Sequence, residues 1–101
     1  MDKLSGVFVF DYGNLAIEVR YVSAGRLQWE QLKGAEAGLK GEERYDFAEI
    51  RRGVYFLWWQ EKDGSVVTQV VDFEKRLVHT TWISPDRKLA AFKGTVTAKA
   101  S

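Results

Sequence analysis

Two β-rich runs joined by Asp63-Gly64 constrain this chain more than any other feature. The segment reads Gly53-Val-Tyr-Phe-Leu-Trp-Trp-Gln-Glu-Lys-Asp-Gly-Ser-Val-Val-Thr-Gln-Val-Val-Asp-Phe73. Asp-Gly between such runs is a strong hairpin signal, because a type I′ turn needs positive φ at both central residues. A two-residue loop sets Lys62 opposite Ser65 and fixes the pairing behind it. One face then carries Tyr55, Leu57, Trp59 and Glu61 with Val66, Thr68, Val70 and Asp72. The other carries Val54, Phe56, Trp58 and Gln60 with Val67, Gln69, Val71 and Phe73. A four-residue turn at Phe73–Arg76 extends the first face to His79 and Thr81, and the second to Val78, Thr80 and Trp82.

Period-2 alternation recurs along the rest of the chain, and a helical period hardly shows. Eight strand-like runs can be marked: Gly6–Asp11, Leu15–Val22, Arg26–Leu32, Glu43–Ile50, Val54–Lys62, Ser65–Phe73, Leu77–Ser84 and Lys88–Ala98. Between most of them stand turn-formers: Tyr12-Gly13-Asn14, Ser23-Ala24-Gly25, Arg51-Arg52-Gly53, Asp63-Gly64, Glu74-Lys75-Arg76 and Ser84-Pro85-Asp86-Arg87. Lys33–Glu42 carries three glycines, too many for a stable helix, and reads as a mobile loop: a lid, or a tolerated surface insertion. The expectation is an all-β fold: one small antiparallel up-and-down β-barrel of about eight strands, forming a single domain over residues 1–101.

Composition removes several function classes. The 15 basic and 14 acidic residues leave a formal charge of +1, without the basic stripe that nucleic acid requires. There is no Cys and only one His, so disulfides and thiol nucleophiles are out, and neither a metal nor a cofactor is expected. No apolar run approaches the ~20 residues of a membrane helix. The start, Met1-Asp-Lys-Leu-Ser-Gly6, does not read as a signal peptide, so a cytoplasmic location is expected. No nucleophile elbow or phosphate loop is present.

Both faces of the central ribbon are rich in large apolar side chains. One must fill or line the barrel, and the other needs cover. The chain has little left to supply that cover, which predicts self-association as a homodimer. The Trp59 face mixes aromatics with Glu61, Thr68, His79 and Thr81, as a small-molecule pocket would. Periodicity alone allows the Phe56, Trp58 and Trp82 face to be the interior just as well.

Tyr45-Asp-Phe-Ala-Glu-Ile-Arg-Arg-Gly-Val-Tyr-Phe-Leu-Trp-Trp-Gln-Glu61 and Val70-Val-Asp-Phe-Glu-Lys-Arg-Leu-Val-His-Thr81 resemble the MoaF-like small calycin family. Trp59-Gln60-Glu61 and Glu74-Lys75-Arg76 are more distantly similar to bacterial phenolic acid decarboxylase. The resemblance implies a lipocalin-like barrel, often dimeric, with a central cavity into which Glu61 points. The decarboxylase's early strand carries paired tyrosines, whereas the corresponding strand here reads Val7-Phe8-Val9-Phe10. Its supporting Arg has no match in the Gly-rich loop.

The functional expectation is a calycin-like barrel that binds a small aromatic or apolar ligand. Trp29, Tyr45, Tyr55 and Trp59 supply stacking surface, while Glu61, Thr68, His79 and Thr81 orient polar groups. The alternatives are a cofactor-free lyase or isomerase with Glu61 as the catalytic acid–base, and an interaction module.

Overall fold

The computed structural model describes residues 4–23 and 25–99. Ala24, in the expected Ser23–Gly25 turn, and residues 1–3, 100 and 101 of the expected domain lie outside them. Nine strands form: β1 (Gly6–Asp11), β2 (Ala16–Ser23), β3 (Arg26–Lys33), β4 (Lys40–Arg44), β5 (Asp46–Arg51), β6 (Val54–Gln60), β7 (Val66–Asp72), β8 (Leu77–Ile83) and β9 (Leu89–Ala98). They make one antiparallel sheet in the order β4-β3-β2-β1-β9-β8-β7-β6-β5. No helix among the described residues is long and apolar enough to cross a membrane.

Three expectations need correction. The first is the closed barrel of eight strands. The sheet has nine, and β4 and β5 remain unpaired with each other, although β4 lies against β6. The single run Glu43–Ile50 breaks at Tyr45, whose N–H donates to the Gly25 carbonyl at 2.9 Å. Asp46, the next residue, already pairs with Trp58. One residue therefore turns a corner, too short a link for β4 and β5 to fold back on each other as a hairpin.

The second is the loop at Lys33–Glu42. Lys40–Glu42 belong to β4, and the remainder is a compact β3–β4 connection. Gln31 N–H donates to the Leu39 carbonyl (2.8 Å), and Gly38 N–H returns to the Gln31 carbonyl (2.7 Å). Its glycines serve as turn residues rather than as a lid.

The third is the register of the central hairpin. Glu61 N–H donates to the Ser65 carbonyl (2.7 Å), and Gly64 N–H to the Glu61 carbonyl (2.9 Å). The loop is thus the three residues Lys62–Gly64, with Gly64 at φ +95°. Asp63 does not sit at positive φ as a type I′ centre. Its carboxylate accepts from Ser65 N–H (2.8 Å), a local turn-forming bond. Trp59 consequently pairs with Val67 rather than Thr68, and Leu57 with Gln69 rather than Val70. The β7–β8 pairing, with Thr68 opposite Thr81 and Val70 opposite His79, is as expected.

The concave face of the sheet has two parts. At one end six rings follow one another in a closed circuit: Phe8, Tyr21, Tyr45, Phe47, Tyr55, Phe73 and back to Phe8. Successive centroids lie 4.8–6.1 Å apart. Such spacing suits tilted and edge-on aromatic contacts. Tyr45 and Phe47 flank the β4/β5 corner, so ring contacts close what hydrogen bonds leave open. Leu27, Leu57, Val71 and Val78 are buried in the same core. At the other end the interior is hollow.

Candidate functional site

The hollow end is a cavity of about 330 Å³. Its wall is mostly apolar, built by Phe10, Val19, Leu27, Val67 and Phe92, with the indoles of Trp29, Trp59 and Trp82. Strand parity places these side chains together. Phe10 points inward from β1 with Tyr12 just beyond its end, Leu27, Trp29 and Gln31 from β3, and Trp59 from β6 with Glu61 just beyond its end.

Small residues seat two of the rings. A Cβ at Gly41, paired with Trp29, would stand 2.6 Å from the indole, so Trp29 lies across bare backbone. A Cβ at Gly94 would stand 2.3 Å from the Asp11 carbonyl oxygen and 2.8 Å from the Tyr12 ring. Tyr12 can therefore lean over β9, where its ring meets Phe92 at 5.8 Å.

The polar groups fall in two places. Tyr12 Oη is hydrogen-bonded to Thr80 Oγ1 at 2.7 Å, with Gln69 alongside. Burial pushes the Tyr12 phenol up to about 12, against the lowering effect of Thr80 and Gln69. The second place is the mouth. Trp59 Nε1–H donates to Glu61 Oε2 (3.2 Å), and Trp29 Nε1–H donates to Glu43 Oε2 (3.0 Å). Burial raises the Glu61 carboxyl above its ordinary value. The Trp59 hydrogen bond works against this, and the negative Glu43 and Asp63 add to it. Among the described residues no cluster of three His, Cys, Asp or Glu could hold a metal ion.

Of the residues singled out from sequence, Trp29, Trp59 and Glu61 come together at this cavity. Tyr45 and Tyr55 do not; they belong to the aromatic circuit and are buried in the core. Thr68, His79 and Thr81 lie on the opposite, outer face of the sheet, where Thr68 and Thr81 hydrogen-bond to each other and His79 is exposed. The one-residue change in the β6–β7 register explains this, since it exchanges the faces of β7 and β8 relative to β6. Gln69 and Thr80 were missed for the same reason. Tyr12 was assigned to a turn, although its parity with Phe8 and Phe10 could have marked it as inward. It supplies a cavity hydroxyl that Val7–Phe10 lacks.

A crystal structure from Burkholderia vietnamiensis, described as a "putative beta-lactamase", has the same fold. It superposes with a TM-score of 0.90 at 22% identity, over 94% of this chain and 93% of that one. At that identity the likeness speaks for the fold alone. No curated protein matches the chain. The MoaF-like family model matches residues 5–97, nearly the whole length, and carries the assignment: the chain belongs to the MoaF-like family.

Proposed function

We propose that this protein is a calycin-like binding protein for a small, largely apolar or aromatic molecule, held in the cavity between Trp29, Trp59 and Trp82. The observation that carries this reading is the wall itself: an apolar hollow of about 330 Å³ with polar groups at only a few points. Small-molecule sites have this make-up, and their volumes start at roughly 300 Å³. The ligand's body lies against the indoles and phenyl rings, and its polar atoms meet Tyr12, Gln69 and Thr80 or Glu61. Three of the chain's four tryptophans line the cavity, so intrinsic fluorescence reports occupancy directly. Saturable quenching or a spectral shift with members of a panel of small aromatic compounds, weakened by Trp59→Ala, is the expected result. No response from any compound overturns the reading.

A second reading is a cofactor-free lyase or isomerase in which Glu61 transfers a proton. The raised affinity of Glu61 for its proton favours it, as does the Tyr12 hydroxyl on the same cavity. It ranks second because, among the described residues, no basic side chain lines the cavity to orient a carboxylate substrate, and positioning supplies much of catalytic power. Ultraviolet loss of a hydroxycinnamate, abolished by Glu61→Gln, would establish it. The chain contains no Ser-x-x-Lys motif, so serine beta-lactamase chemistry has no nucleophile here.

The proposal includes a homodimer. Phe56, Trp58, Val66, Val70, Ile83 and Leu89 share the outer face of β6–β9, whereas Glu18, Arg20, Glu30, Lys40 and Glu42 occupy that of β2–β4. A second copy over the apolar half removes the exposed patch.

A further inference from the structure

We propose that the cavity selects an organic cation: an amine or ammonium group on a small apolar or aromatic body, with the charge held at the mouth between Trp29, Trp59 and Glu61. The inference rests on the binding function proposed above and specifies the charge of the ligand. Three observations carry it.

The first is the sign of the lining. Among its described residues there is one carboxylate, Glu61, and no Lys, Arg or His. Glu43 adds a second negative charge close behind it. An anion entering this space meets like charge and no cation, whereas a cation finds a counter-charge in a partly dry site where Coulomb attraction is stronger than in water.

The second is the state of the hydrogen-bond donors. Both indole N–H groups at the mouth are already committed to carboxylates, Trp29 to Glu43 and Trp59 to Glu61. The Tyr12 hydroxyl is engaged with Thr80 deeper inside. The mouth therefore offers acceptors and few free donors, which suits an ammonium's N–H groups rather than a carboxylate's lone pairs.

The third is the aromatic surface. Trp29, Trp59 and Trp82 line the same space, and the negative face of an indole attracts a cation, indole being the best of the side chains at this. An N–H donating to a carboxylate polarises the ring further in that direction. Trp29 packs against Gly41, where a Cβ would stand 2.6 Å from the indole, so bare backbone backs the ring.

The test is a matched series of phenethylamine, 2-phenylethanol and 3-phenylpropanoate, titrated by tryptophan fluorescence and calorimetry at pH 7. The expected order is amine, then alcohol, then acid, with the amine about tenfold tighter than the acid. Glu61→Gln brings amine and alcohol within about twofold of each other. In the unaltered protein, lowering the pH through the Glu61 titration weakens the amine but not the alcohol. Besides burial, Glu43 and Asp63, the charged groups acting on Glu61, are both negative and raise the pH at which it ionises. This arm does not depend on the variant folding. An acid that binds as well as the amine, or an amine whose affinity is flat with pH, overturns the charge selection while leaving the cavity a binding site. Failure of all three compounds overturns the binding function and this inference together.

Discussion

Glu61 shows how much one side chain's surroundings decide. Its carboxyl sits at the edge of an apolar hollow, accepts one indole hydrogen bond and faces two negative neighbours. Its folded-state affinity for a proton is therefore above the unfolded one. The stabilisation this brings is complete below the ordinary carboxylate range and is lost as pH rises through the raised value. Glu61→Gln, which cannot ionise, should thus raise the melting temperature at pH 7, with the gain disappearing at acid pH in a thermal scan. Gly94 is the opposite kind of residue, important for what it lacks. A methyl group there would press on the Asp11 carbonyl and the Tyr12 ring. Gly94→Ala should cost about 1–3 kcal/mol by denaturant melting, as overpacking does, and should disturb the Tyr12–Thr80 hydrogen bond. That an acid stands beside aromatics here was legible in the sequence, because Glu61 ends an aromatic strand. The role of Gly94 was not, because its neighbours Asp11 and Tyr12 lie some eighty positions away.

At the scale of elements, the strands were readable and their corners were not. Alternation located every strand to within a few residues, apart from the β4–β5 pair, where continuous polar and apolar alternation concealed the break at Tyr45. The central hairpin teaches a sharper lesson. Asp63-Gly64 marked the reversal correctly, yet the chain uses three loop residues, with Asp63 capping Ser65 and only Gly64 at positive φ. That single extra residue decides which of Thr68 and Gln69 faces the cavity. Replacing Gly64 by Ala should cost about 1 kcal/mol or more, since an L side chain resists that conformation. Urea melts of the variant would measure it, and an unchanged midpoint would contradict the turn geometry.

At the scale of the whole molecule, six packed rings fill one end of an open sheet, and the Trp-lined cavity occupies the other. Its outside is divided into a charged half over β2–β4 and an apolar half over β6–β9. If a second copy covers the apolar half, sedimentation at micromolar concentration should show a dimer. Replacing Phe56 and Trp58 together by Lys should yield a folded monomer, with the cavity on the other side of the sheet untouched. A monomer in the unaltered protein would remove that proposal. The all-β class, the strand positions and the presence of an acid beside aromatics were written in local alternation and turn chemistry, which depend only on nearby residues. The open nine-stranded sheet, the aromatic circuit around Tyr45 and Tyr55, and the company Glu61 keeps were decided by tertiary structure. They depend on register and on contacts between distant strands, where one residue of slip exchanges inside for outside.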